Sequence, residues 1–344
     1  MSLKIERKEL YDQVQRAIGH TPLKKLEYIK IPHNNVIFFK EEYRNPTGSH
    51  YDREFIRLLR SLEDRELIIP FKTPLVETTT GNAGASFAWL CRVLGYTCKV
   101  IIPEDVPSAR IAQIKSFGAE VILSPSKQYV KGVIETLRSE LRDKNKNKEE
   151  YCPNHAADEK YCIEAMKDLG REIVDDISKL NQNRIDYYVS ALGNGSSLRG
   201  VGEILKNAFS TKIIGVEPLA SPSIFIKKFG NEIFYKEYGC DPKFGPHGLL
   251  GTGAWGTDFQ FPNTRFMQDE IDEIILVTEQ QWEEQSKNLA DKEYQHVGRT
   301  SAACFYAALK AAERVERKAF VLIFYDASWK YLDISNNQNG NRHV

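Results

Sequence analysis

The residues of this chain that could do chemistry fall in three short stretches of hydroxyls, amides and glycines. Residues 45–53 read Asn-Pro-Thr-Gly-Ser-His-Tyr-Asp-Arg. They close an apolar run (Val36, Ile37, Phe38, Phe39) and open a helical pattern with the apolar face Phe55, Ile56, Leu59 and Leu62. A reactive side chain at that junction, Tyr51 or His50, would be held rigidly. Residues 78–84, Thr-Thr-Thr-Gly-Asn-Ala-Gly, join a strand-like run to a helical one, so backbone N–H groups would converge on one spot of partial positive charge. That is a cradle for a carboxylate, and the same residue types also serve as a plain helix N-cap. Residues 193–197, Gly-Asn-Gly-Ser-Ser, form a second such junction, where glycines let the backbone approach a phosphate closely. No Gly-Lys-Ser/Thr follows, which excludes a Walker loop, and a dinucleotide fingerprint would need a third glycine one step later.

The elements around these stretches alternate. Strand-like runs at 74–79, 98–103, 120–123, 186–191, 212–217 and 320–324 are interleaved with helical patterns at 83–94, 109–117, 129–142, 163–177, 198–208 and 301–314. Apolar strands without a polar face predict an α/β fold with parallel sheets covered on both sides by helices. Ligands in such folds lie where strands end and helices begin. The charged run 143–150 reads as a solvated helix end or a lobe boundary, and residues 336–344 as a flexible tail.

Composition narrows the function classes. With 42% hydrophobic and 27% charged residues, the 344-residue chain has material for a large core. Lys plus Arg equals Asp plus Glu at 47 each, which argues against nucleic acid and acidic membranes as partners. Residues 1–7 carry charges where a signal peptide needs an apolar run, and no stretch reaches membrane-spanning length, so a cytoplasmic location is expected. The six cysteines lack a paired CxxC spacing and are expected to be reduced. Cys152, His155 and Cys162 lack an evident fourth ligand, so no metal site is expected.

The string at 45–53 resembles the cofactor-lysine segment of the pyridoxal-phosphate enzymes of fold type II, the tryptophan synthase β-like family that includes threonine synthase, threonine dehydratase and cysteine synthase. Further phrases follow in the family's order: Ile18-Gly19-His20-Thr21-Pro22-Leu23, the stretches at 78–84 and 193–197, Gly215-Val216-Glu217-Pro218, the glycine-bearing loop 248–253, and Gly298-Arg299-Thr300-Ser301-Ala302-Ala303. The resemblance implies two lobes, each a mostly parallel sheet flanked by helices, with the ligand cleft between them. The small lobe would span 51–150, and the large lobe 1–50 and 151–335. It implies pyridoxal phosphate as cofactor and an amino acid or a phosphorylated small molecule as partner. Homodimerisation is expected because family members commonly dimerise. Thr79, Thr80, Gly81 and Ala83 would take the substrate carboxylate, and Asn82 the cofactor's ring hydroxyl. Gly193, Asn194, Gly195, Ser196 and Ser197 would hold the phosphate. Thr300, Ser301 or Ser328 would meet the pyridine nitrogen, a neutral contact that favours elimination at the β carbon. Residues 151–155 do not supply the glutamine that cysteine synthases carry after the small lobe.

In the family, the residue before Asp-Arg is the lysine that forms the Schiff base; here it is Tyr51. A phenol cannot form an imine. Three outcomes stay open. The chain binds pyridoxal phosphate or its amino-acid adduct noncovalently, with lysine-based catalysis altered or lost; or it is a lysine-independent lyase or synthase with Tyr51 or His50 as base; or it is an interaction protein with a relic site. Lys40 or Lys330 could rescue imine formation, although the family's topology points Lys40 away from the site.

Overall fold

The computed structural model describes residues 2–126, 129–142, 150–157, 159–252 and 269–334. Six strands form the larger sheet: β1 (Leu23–Lys25), β2 (Val36–Lys40), β6 (Tyr187–Ala191), β7 (Lys212–Pro218), β8 (Glu273–Val277) and β9 (Ala319–Ile323). Their spatial order is β1-β2-β9-β6-β7-β8, and every pairing is parallel except β1 with β2. A second, all-parallel sheet holds β3 (Leu75–Thr78), β4 (Cys98–Pro103) and β5 (Glu120–Ser124) in that order. β9 shows why the larger sheet is parallel and covered: all five of its residues are buried, which is possible only with helices on both faces.

Eleven helices are described: α1 (Ser2–Arg16), α2 (Tyr51–Asp64), α3 (Asn82–Leu94), α4 (Ser108–Ser116), α5 (Tyr129–Arg142), α6 (Glu159–Lys179), α7 (Ser196–Phe209), α8 (Ser223–Phe229), α9 (Asn231–Tyr238), α10 (Glu279–Glu293) and α11 (Arg299–Ala312). Each strand and helix expected from the alternation is present, with ends shifted by a few residues. The helix opening at residue 51 buries Phe55, Ile56, Leu59 and Leu62, the face its periodicity marks. They enter a core with Phe87, Leu90 and Leu94 of α3 and Val100 and Ile102 of β4. A separate core lies on the larger sheet. No helix among the described residues is long and apolar enough to cross a membrane.

Two polar devices set the junctions. At the end of β7, the buried Glu217 carboxylate accepts from the N–H groups of Ile224 (2.9 Å) and Phe225 (2.8 Å) and from the Ser223 hydroxyl (3.1 Å), fixing the first turn of α8. At the start of α2, Arg53 reaches Glu42 (2.7 Å) just past β2 and Glu172 (2.7 Å) of α6. The charged run at 143–149, the tail at 336–344 and Gly253 lie outside the described residues.

Candidate active site

The ends of β3, β4, β6 and β9 and the start of α2 converge on a cavity of about 890 Å³. All three stretches singled out in the sequence reach its wall: His50 and Tyr51; Thr79, Thr80, Asn82 and Ala83; and Gly193, Asn194 and Ser197. Thr300, Tyr325 and Asp326 line it as well. Five of the expected site residues are not on the wall. Gly81, at φ +143°, packs against the Arg110 side chain, and Gly195, at φ +90°, makes the turn into α7. The Ser196 hydroxyl turns towards Glu54. Ser301 Oγ accepts from the Tyr325 N–H at 2.9 Å, and the Ser328 N–H bonds His296 O at 2.9 Å.

In the threonine-rich loop, the Thr79 hydroxyl is used internally, accepting from Gly81 N (2.8 Å) and Gly84 N (2.9 Å). It caps α3. The N–H groups of Thr80, Asn82 and Ala83 meet no acceptor among the described residues and remain for an anion. Asn82 Nδ2 donates to Asp326 Oδ2 at 2.7 Å, while its Oδ1 is buried without a partner. Asp326 also takes Arg110 at 3.2 Å and the Tyr331 hydroxyl at 3.0 Å. In the glycine-rich loop, Asn194 Oδ1 accepts from Ser196 N at 3.1 Å. The N–H groups of Gly193, Asn194, Gly195 and Ser197 find no acceptor among the described residues. This loop resembles a phosphate nest.

Beneath the nest lies Glu54, fully buried, bonded by the Ser196 hydroxyl and by Asn194 Nδ2 at 3.4 Å. Burial pushes its carboxyl up, against the opposing pull of Ser196, His155 and Asn194. The sequence reading missed Glu54. Its signal was the i, i+3 spacing from Tyr51, which puts both on one helix face.

Around Tyr51 the wall is aromatic. The His50 ring lies 4.3 Å from that of Tyr51 and 5.1 Å from that of Tyr325, and the His155 ring stands edge-on to Tyr51 at 5.6 Å. Burial, then Glu54, drives the Tyr51 phenol far above its ordinary value, so it keeps its proton and cannot serve as a base at neutral pH. Burial pushes His50 down to about 4, against Glu42 and Asp326, leaving a neutral imidazole near pH 7. His155 goes the other way. Burial opposes its charge, but Glu77, 3.5 Å from Nδ1, and Glu54 outweigh it and raise the ring above 6.5. No cluster of three or more His, Cys, Asp or Glu side chains suited to a metal occurs among the described residues.

Neither candidate rescue lysine is on the wall. Lys40 binds Asp176 (2.7 Å) and Glu172 (3.2 Å). Lys330, fully buried and lowered to about 8 by that burial, bonds Gln113 Oε1 at 3.0 Å. Among the described residues, the one lysine on the wall is the exposed Lys227.

A family profile described as "Pyridoxal-phosphate dependent enzyme" matches residues 14–326, and the chain belongs to that family. A cysteine synthase of Staphylococcus aureus is 30% identical over 324 residues, 93% of this chain and 95% of its own length. A solved hydrogen sulfide-producing enzyme from Fusobacterium nucleatum superposes with a TM-score of 0.80 at 27% identity, covering 93% of this chain and 99% of its own. The O-acetylserine dependent cystathionine beta-synthase from Helicobacter pylori gives 0.77 at 27% identity, covering 93% and 96%. The chain is thus homologous to enzymes of β replacement, and its fold is that of fold type II.

Proposed function

We propose that this protein holds pyridoxal phosphate, or its adduct with an amino acid, noncovalently in the cavity, with the lysine-based catalysis of its relatives altered or lost at Tyr51. One observation carries the reading: Tyr51 sits on the cavity wall with two free N–H cradles opening onto the same space, and the one lysine on that wall among the described residues is the exposed Lys227. The residues fit the group's two anionic ends. Gly193–Ser197 would take the phosphate through main-chain N–H groups, and Thr80, Asn82 and Ala83 the carboxylate. Asn82, whose Oδ1 is buried without a partner, and Thr300 line the same cavity and would meet the ring's hydroxyl and nitrogen. Charge-assisted hydrogen bonds contribute about 1.5–3 kcal/mol each, so several can retain a phosphate without a covalent link. Pyridoxal phosphate, when bound, supplies an electron sink for an amino acid's α carbon. The Tyr51 phenol orients a ligand as a hydrogen-bond donor. A homodimer, as is common in the family, is part of the proposal.

A second reading is favoured by the two imidazoles on either side of Tyr51: a lysine-independent lyase, with the neutral His50 taking a proton from a bound amino acid.

Absorption spectroscopy tests the proposal. Added pyridoxal phosphate should bind saturably, and borohydride should leave the protein unlabelled. Tyr51→Lys should produce an aldimine band and a borohydride-stable adduct. A covalent adduct on the unaltered protein would refute noncovalent binding.

A further inference from the structure

We propose that His155 is the proton donor of this cavity, passing its Nε2 proton to the atom that leaves the β carbon of a bound amino acid. The inference rests on the second reading above, that of a lysine-independent lyase.

The ring is built in from three elements. Glu77 of β3 accepts the His155 main-chain N–H at 3.1 Å and lies 3.5 Å from Nδ1, while its other oxygen takes the Thr78 N–H at 2.8 Å. From α2, Tyr51 meets the ring edge-on at 5.6 Å and Phe55 packs against it at 5.1 Å. From α6, Cys162 Sγ donates to the His155 carbonyl at 3.5 Å. These neighbours hold the segment in place; Nδ1 is buried 3.5 Å from the Glu77 carboxylate, an ion-pair contact without a hydrogen bond, and the side chain lines the cavity, with no hydrogen bond from Nε2 to a described residue.

The charged groups facing His155 are two buried carboxylates, Glu77 and Glu54, and both favour the imidazolium. His50, on the far side of Tyr51, is placed differently. Burial is its largest influence, and it faces charges of both signs, Glu42 and Asp326 against Arg53 and Lys330. Two histidines pushed in opposite directions across one residue form an acid and a base.

In the step itself, the bond from the β carbon to the leaving atom breaks with its electron pair going to that atom. The Nε2–H bond breaks in turn and its proton joins the same atom. His155 is left neutral, its Nδ1 proton still directed at Glu77, and the proton lost from the α carbon goes to His50.

Leaving groups that differ in their need for a proton decide the matter. With pyridoxal phosphate loaded, His155→Gln should slow hydroxide release from serine by about 100-fold or more and chloride release from β-chloroalanine by less than about 3-fold. Equal losses for both would mean that His155 only positions the site, which overturns the proposal. In the unloaded protein, NMR should show the His155 ring titrating above 6.5, and Glu77→Gln should lower it. A ring titrating below 6.5 also overturns it. Cofactor binding without release of either group by the unaltered protein would sink the proton donor and leave the binding proposal standing. Absence of any cofactor binding would sink both.

Discussion

Glu54 is the residue where the site's electrostatics are in tension. A phosphate on the 193–197 loop would sit above a buried carboxyl that already bonds Ser196 and Asn194. Like charges at such range disfavour each other, so the bound anion should raise a carboxyl that burial has already pushed up, and binding should take up a proton. Affinity for inorganic phosphate or pyridoxal phosphate should therefore rise as the pH falls through the Glu54 titration. Glu54→Gln should flatten that dependence and tighten binding at high pH, beyond the change due to the ligand's own ionisation. Calorimetry from pH 5 to 9 in buffers of different ionisation enthalpy reads both effects, and a variant with the same slope as the wild type would place the anion elsewhere. Residues such as Glu54 and His155 are hard to find in sequence for a physical reason. An acidic residue in a helix's first turn reads as a solvated dipole partner. Only the approach of a loop 140 positions away along the chain buries it. His155 likewise depends on a carboxylate 78 positions earlier.

At the scale of elements, most of the fold was legible because buried parallel strands must be uninterrupted apolar runs, as 320–324 is, and covering helices must show a 3.6 period, as 129–142 does. Among the elements not anticipated, β8 carries a buried apolar run, Ile274 to Val277, that its sequence does display, whereas α1 and α10 draw their stability from elsewhere. α1 is mostly polar and is held to the second core by Tyr11 and by Arg7 gripping Glu63 at 2.6 and 2.7 Å. α10 announces itself mainly by its capping box, Thr278 with Gln281. The Gly-Val-Glu-Pro phrase acquires a structural meaning as the strand-to-helix lock of β7 and α8. Burial raises the Glu217 carboxyl from 4.5 to about 7, so the folded chain binds its proton more tightly than the unfolded one. Its contribution to stability is complete below pH 4.5 and is lost as the pH climbs through 7, about 3 kcal/mol at about 1.4 kcal/mol per pH unit. Urea unfolding of Glu217→Gln should lack this slope between pH 4.5 and 7; an unchanged slope would assign it to another group.

At the scale of the whole molecule, the three chemical stretches were each visible in the sequence, but their convergence was only implied by the resemblance. Spacing cannot show that residues 78–84, at the end of a strand in one sheet, face residues 193–197, at the end of a strand in the other. The cavity that joins them draws its wall from both sheets, and Arg53 links α2 to α6 beside it. A ligand gripped at both ends should therefore stabilise both cores together. At 100 times its dissociation constant, pyridoxal phosphate should add about 2.7 kcal/mol to the unfolding free energy. Trp89 packs against the core around α2 and α3, and Trp282 is buried in the core of the larger sheet, so variants keeping one or the other tryptophan report on each separately. Both should show the same shift in urea midpoint on addition of ligand. A shift seen by Trp282 alone would mean that the glycine-rich loop holds the phosphate while the threonine-rich loop stays empty, and that the ligand does not bridge the two sheets.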